Sequence, residues 1–459
     1  MTAPPARALD PAVPDGPGRA LLRARRSWYV YDWANSAYVT TTATVLFAPY
    51  LTVLARRAAC EGVAEGCTRA LSVLGVQVAP GSLALYTTTL ATLLSALLLP
   101  FAGAVADRAR RRNVLLGVFA WPGAAAATAM VALSGDRWEL GVLLAVVATL
   151  SLTASSVVND ALLCDVAAPA ERDAVSSRGW AAGYLAGFLL LGLNLVVVSS
   201  PGLLGLDEEG AVRLSLASAG LWWGAFTLVP VLGLRHLPAR HPPVDAAGGG
   251  VLAPARQLVR TLRGLRRYPQ ALRFLLAYFV FNDGIQTVVA AASVYGQEQL
   301  GFGSSQLITT VLLVQGVAFG GALLFGRAAR RFGAQRTVLG GLGLWIVVVL
   351  AAFAVPRGAF EAWLALAVLI GLVLGGTQAL ARSMFSRLVP VGAEAEYFGL
   401  YQAGERGTSW LGTLVFGLVA QLSGSYRPAL VALLVFFVVG AWLLRRVDVA
   451  AGARDAGQG

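Results

Sequence analysis

Long apolar runs recur along nearly the whole chain, each closed by a short charged or Gly/Pro-containing break, and their lengths predict membrane helices. Twelve spans are expected, at about 28–55, 83–106, 113–133, 138–160, 179–200, 212–234, 273–296, 305–327, 337–355, 362–382, 397–420 and 428–444. In hydrocarbon the backbone must satisfy its own hydrogen bonds, so the expected fold is an all-α membrane protein. Residues 28–234 and 273–446 read as two six-helix halves. A linker at 235–272 joins them, with an expected disordered tail at 1–27 and a second tail at 447–459. The linker's Arg-rich stretch, Arg256 to Arg267, is expected to lie as an amphipathic helix on anionic headgroups.

Composition agrees with that pattern. Of 459 residues, 57 % are hydrophobic and 13 % charged, with a mean hydropathy of +0.68; a soluble chain carries about twice that charge fraction. The net charge of +12 comes entirely from Arg, because the chain has no Lys. Assigning the breaks alternately to two sides places 28 Arg on one side and seven on the other, leaving Arg406 within a span. Such asymmetry is the positive-inside pattern, which predicts a multi-pass protein with both termini cytoplasmic and argues against a nucleic-acid partner. The charge is thus read as topology, and membrane lipid is expected as a partner because the spans are embedded in it.

Against this apolar background the polar residues inside spans stand out. Asn282, Asp283 and Gln286 share a turn and a half of the seventh span, and Asp283 falls about 15 Å past Arg273, near mid-membrane. A carboxylate there costs several kcal/mol unless function or a partner offsets it, with estimates starting near ~2.5 kcal/mol. Glu405 and Arg406 lie in the eleventh span; as neighbours they do not face each other, so each needs a partner elsewhere. Asp283 is the expected partner of Arg406, as a pair that opens during transport and exposes the carboxylate to a proton. A permanent structural ion pair is the competing reading. Asp32 and Asn35 in the first span are further binding or gate candidates, and Asp160 and Arg382, at the inner ends of the fourth and tenth, are read as gate or cap residues. Gly179, Gly183 and Gly187 form a stripe for close helix packing. Cys60 and Cys67 share a loop on the Arg-poor side, where a disulfide could form.

The halves look like diverged copies: Tyr31 to Ser36 corresponds to Phe281 to Gln286, and Gly103 to Arg112 corresponds to Gly326 to Arg336. Gly103, Asp107, Arg108, Arg111 and Arg112 resemble the inner-loop motif of the major facilitator superfamily, Gly-x-x-x-Asp-Arg-x-Gly-Arg-Arg, with Arg110 in place of its second Gly. The motif implies a gate in which Gly103 lets helices approach closely and Asp107 pairs with Arg across the halves. A closer resemblance runs through Tyr31-Asp32-Trp33-Ala34-Asn35-Ser36, Asn159-Asp160, Gly179-Trp180, Asn282-Asp283-Gly284, Gly376 to Ser383 and Phe398 to Tyr401. These segments are similar to the vacuole-effluxer family, the autophagy-related permeases and their bacterial relatives, which often carry Lys where this chain has Arg406.

That resemblance implies a major facilitator fold, twelve transmembrane helices in two pseudo-symmetric halves around a midplane cavity. It also implies amino-acid efflux by secondary active transport of a small-molecule substrate; proton coupling, expected from the opening of the Asp283–Arg406 pair, a monomer, and for a bacterial chain the inner membrane are further expectations. Export of drugs or metabolites and a non-transporting sensor or scaffold are the alternatives. Without Lys there is no phosphate-loop ATPase motif, and both His lie in the linker, so the sequence favours a transporter over an enzyme and predicts no cofactor or metal.

Overall fold

The computed structural model describes residues 17–60, 69–73, 75–238, 261, 263–408 and 411–458. Among them, eleven helices are long and apolar enough to cross a membrane. These are α1 (Gly18–Ala59), α2 (Leu83–Arg108), α3 (Arg112–Ala129), α4 (Trp138–Val166), α5 (Arg172–Ser199), α6 (Glu208–Gly233), α7 (Pro269–Val294), α8 (Ser304–Phe332), α9 (Ala334–Ala354), α10 (Phe360–Leu388) and α13 (Tyr426–Arg445). The eleventh expected span is described as α11 (Glu394–Thr408) and α12 (Leu411–Ser423), the second shorter but apolar, with residues 409 and 410 between them outside the described residues. A short helix, α14 (Val449–Asp455), follows α13.

Several boundaries differ from expectation. Helix α1 is already formed at Gly18, so the end of the expected N-terminal tail is helical and is tied down by an Arg25–Glu171 ion pair. Much of the linker, including Arg256, lies outside the described residues; of the Arg-rich stretch, residues 261, 263 and 264 are helical and Leu265–Arg267 form a 3₁₀ turn. Cys164 is free and Cys60 is not, while Cys67 lies outside the described residues. A two-stranded hairpin, β1 (Leu71–Val73) and β2 (Val76–Val78), precedes α2.

The halves meet along two seams, α2 against α11 and α5 against α8. With no water between them to expel, membrane helices gain their attraction from close approach, which small residues permit. At the first seam a Cβ on Gly103 would stand 2.4 Å from the Ala395 carbonyl oxygen, and one on Gly399 would stand 2.8 Å from that of Leu99. The predicted Gly stripe of α5 runs partly against α1, Gly183 facing Ser36 and Gly187 facing Thr40. Large apolar side chains such as Leu85, Leu93, Leu97 and Leu193 are left on the outside, as a lipid-facing surface requires.

Candidate functional site

Between the halves lies a cavity of about 550 Å³, with walls from α1, α2, α4 and α5 on one side and α7, α8, α10 and α11 on the other. Asp32, Asn35, Ser36, Val39, Thr40 and Thr44 form its α1 wall. That spacing is one helical stripe about 18 Å long. Residues Val39–Leu46 of α1 are π-helical, a distortion frequent at functional sites. Across the space stand the amides of Gln286, Gln315 and Gln378, with Trp180, Tyr184, Tyr278 and Tyr401 as aromatic surface. A pocket of this size and mixed lining suits a small organic solute.

The floor of the cavity is built on Arg382 of α10. Its guanidinium donates to Asp32 at 2.8 and 3.2 Å, to Asp160 at 3.2 Å and to the Ser176 hydroxyl at 3.0 Å, so one side chain grips three helices of the other half. The rings of Trp28 and Trp180 lie 4.8 and 5.4 Å from its central carbon. Asn159 donates to Asp32 and Gln402 to Asp160, each at 3.0 Å. Gly179 makes room for the cluster, because a Cβ there would come within 2.3 Å of Asp32 Oδ2. Two carboxylates against one guanidinium give the buried cluster one surplus negative charge when both are ionised.

Beyond this floor, the Arg-rich end of the molecule is sealed by further bonds between halves. Asp107 accepts from the backbone N–H groups of Ala395 and Glu396, at 3.0 and 2.8 Å, and so caps the N-terminus of α11. Its Arg partner is Arg112 of its own half, which also reaches Glu394 at 3.2 Å and Asp165 at 3.4 Å. The expected pairing of Asp107 with an Arg across the interface is thus replaced by a carboxylate-to-helix-end contact; Arg111 is exposed. Ser383 donates to Asp173 at 2.7 Å, and Arg172 donates to the Ser386 carbonyl at 2.8 Å. The C-terminal segment joins in: Gln458 accepts from Arg172 at 2.9 Å and donates to the Val389 carbonyl at 3.0 Å.

This last contact leads to a prediction. Cys164 lies at the same seam, its sulfur 3.9 Å from the Ser386 carbonyl oxygen, and is a native reporter of opening. Removing the Gln458 bonds by Gln458→Ala should cost about 0.5–1.5 kcal/mol of closed state. Maleimide modification of Cys164 is expected to accelerate roughly two- to tenfold, and an unchanged rate would show that the segment does not brace the seal.

The other sequence candidates are distributed unevenly. Gln286 and Glu405 line the cavity, and Glu405 accepts from the Tyr278 hydroxyl at 2.7 Å. Asn282 sits behind the wall and accepts from Gln378 at 2.7 Å, echoing the Asn159–Asp32 bond of the first half. Asp283 is buried and is not among the lining residues; its Oδ2 accepts from the Gly412 N–H at 2.9 Å, and its Oδ1 has no hydrogen-bond partner among the described residues. The Arg406 side chain, its expected partner, lies outside the described residues. As the acceptor of the Gly412 N–H, Asp283 is expected to contribute about 0.5–1.5 kcal/mol. Thermal unfolding of Asp283→Ala should therefore fall by a few degrees, and an unchanged midpoint would exclude that contribution. Trp28, Ser176, Gln402 and Gln458 escaped the sequence reading, where polarity alone did not separate them from ordinary helix residues; Arg172 is read there as part of a family-like segment.

A twelve-span bundle with a cavity between its halves and paired seams at α2–α11 and α5–α8 is the architecture of a major facilitator superfamily transporter. Solved members share it: the human organic anion transporter MFSD10 (TETRAN) superposes with a TM-score of 0.69 at 15 % identity, covering 94 % of this chain and 100 % of that one. A proton:xylose symporter, XylE, gives 0.67 at 13 % identity, with 94 % and 96 % covered. A bacterial homologue of the iron transporter ferroportin in an outward-facing state gives 0.64 at 14 % identity, with 93 % and 99 % covered.

Within that superfamily the chain belongs to the vacuole effluxer Atg22-like family, whose model matches residues 22–457. The MFS-type transporter YxiO of Bacillus subtilis is 29 % identical over 93 % of this chain and 95 % of its own length. Autophagy-related protein 22-1 of Phaeosphaeria nodorum is 26 % identical over 87 % and 82 %.

Proposed function

We propose that the protein moves a small polar solute, amino acids first among the candidates, by alternating access coupled to protons. The observation that carries this reading is the position of the Arg382 cluster, which is both the cavity floor and a bridge between halves. A solute leaving at the Arg-rich end must pass through it. Opening that end requires Arg382 to part from Asp32 and Asp160, and Asp107 to release the α11 N-terminus, while the Gly-lined seams allow the halves to rock.

Protonating either carboxylate removes part of the attraction holding Arg382, which links proton uptake to opening. The lining supports a zwitterionic solute: Glu405 offers its carboxylate to an ammonium, Arg382 offers its guanidinium to a carboxylate once Asp32 or Asp160 is protonated, and the neutral amides and hydroxyls between them hydrogen-bond without selecting a side chain. The choice of amino acids follows the family resemblance. The aromatic wall supports a second reading, export of a larger aromatic metabolite or drug. With the positive-inside pattern the Arg-rich end is cytoplasmic, both termini lie there, and the cavity faces outward.

The test is flux in proteoliposomes containing the full chain. Radiolabelled amino acids should move faster with a pH gradient than without, and Arg382→Gln should abolish the difference. No amino-acid movement in either direction would remove the substrate assignment, and identical flux with and without the gradient would remove proton coupling.

A further inference from the structure

Far from the central cavity, the outer surface carries a cleft of about 380 Å³ at the Arg-rich end of the α7–α13 seam. It is lined by Arg273 and Leu276 of α7, Leu443 of α13, and Arg446 just past the end of α13. The two helices run in opposite directions here, α7 leaving this end and α13 returning to it. Each therefore offers the same arrangement: an Arg at the membrane boundary and a Leu three residues deeper, about 4.5 Å further into the hydrocarbon. Deeper still the helices pack too closely for any ligand, since a Cβ on Gly440 would stand 2.6 Å from Phe281 Cβ.

The charge in this cleft is not neutralised. Neither Arg273 nor Arg446 enters an ion pair among the described residues, and no acidic side chain lines the space. The nearest carboxylate in sequence, Asp448, accepts from the Ala451 N–H and caps α14. Arg446 is held by Trp442, its central carbon 3.6 Å from the ring centroid, and that Trp is 51 % exposed, as suits a side chain at the membrane boundary. Leu276 is 50 % exposed, so the apolar part of the cleft opens to lipid. One guanidinium held by Trp442 and a second, exposed one, above an exposed and a half-buried leucine, match a phosphate attached to an acyl chain, and a free anion would use only the upper half.

We propose that this cleft is a binding site for an anionic phospholipid, with its headgroup phosphate between Arg273 and Arg446 and an acyl chain along Leu276 and Leu443. The ligand clamps α7 to α13 from outside and does not depend on what the central cavity carries.

The experiment uses the full chain in neutral detergent, with native mass spectrometry and thermal unfolding in the presence of phosphatidylglycerol, phosphatidylcholine or glycerol phosphate. Phosphatidylglycerol should remain bound and raise the unfolding midpoint more than phosphatidylcholine does. Each surface Arg near an anionic lipid is worth about a fivefold change in binding, so the Arg273→Gln/Arg446→Gln variant should bind it about 30-fold more weakly. A control at two exposed Arg of α8, Arg327→Gln/Arg330→Gln, should retain it. The proposal is overturned if the cleft variant binds phosphatidylglycerol as the unaltered chain does, or if phosphatidylcholine does equally well. It is also overturned if the α8 control loses the lipid to the same extent, which would indicate diffuse attraction, or if glycerol phosphate displaces the lipid, which would indicate an anion site.

Discussion

Arg382→Ala is expected to be the most disruptive single change at the cavity. It leaves Asp32 and Asp160 buried with only the amides of Asn159 and Gln402 as close partners. Breaking a buried ion pair from one side typically costs about 3–5 kcal/mol, because the remaining charge is uncompensated. The conformation closed at the Arg-rich end should lose that stability, and Cys164 should react with maleimide at least a hundredfold faster, unless the protein unfolds first. A triple variant, Asp32→Asn/Asp160→Asn/Arg382→Gln, separates the two outcomes. It restores hydrogen-bonding groups without charge and should recover most of the thermal stability while remaining inactive in flux. If Arg382→Ala instead matches the unaltered chain in unfolding midpoint and in Cys164 reactivity, the cluster is not what holds this end shut.

The second large effect is expected from Gly103→Val. The atoms a side chain would meet are backbone, the Ala395 carbonyl oxygen at 2.4 Å and Glu396 Cα at 2.8 Å, so no rotamer change can relieve the clash. Helix α2 must withdraw from α11, and Asp107, one turn along, then loses its hold on the amides of Ala395 and Glu396. Overpacking costs about 1–3 kcal/mol and each lost charge-assisted bond about 1.5–3 kcal/mol. The variant should favour the form open at the Arg-rich end, read as a tenfold or greater rise in Cys164 reactivity and a matching fall in flux. Gly320→Val on α8 is the control, because no atom lies within 4 Å of its added Cβ, and it should behave as the unaltered chain. Equal behaviour of the two variants would show that the α2–α11 crossing is not a mechanical constraint.

The two predictions draw on different kinds of information. Gly103 and Asp107 were legible in the chain as part of a spaced motif, and the structure adds that the carboxylate's cross-half partner is a helix end. The Arg382 cluster was not legible as a unit. Asp32, Asp160 and Arg382 were each singled out, but as separate binding or gate candidates, and the ion pair expected instead was Asp283 with Arg406. Asp283 accepts from the Gly412 N–H, the Arg406 side chain lies outside the described residues, and Arg382 reaches Asp32 across 350 positions of sequence. Position along a helix says how deep a charge lies and therefore that it needs a partner. It does not say which way the helix is rotated or which neighbour supplies that partner.

The sequence by itself determined the solvent and the scaffold. Runs of apolar residues long enough to cross hydrocarbon leave the backbone no alternative to helix, and the placement of Arg on alternate breaks gives the bundle a direction. Only the tertiary structure decided which ionisable groups meet, that the cavity is closed at its Arg-rich end, and that two arginines and two leucines form a cleft on the outer face. The physical reason is that hydropathy sums along one segment at a time, whereas an ion pair depends on separation and direction between segments, and those are settled when the helices pack.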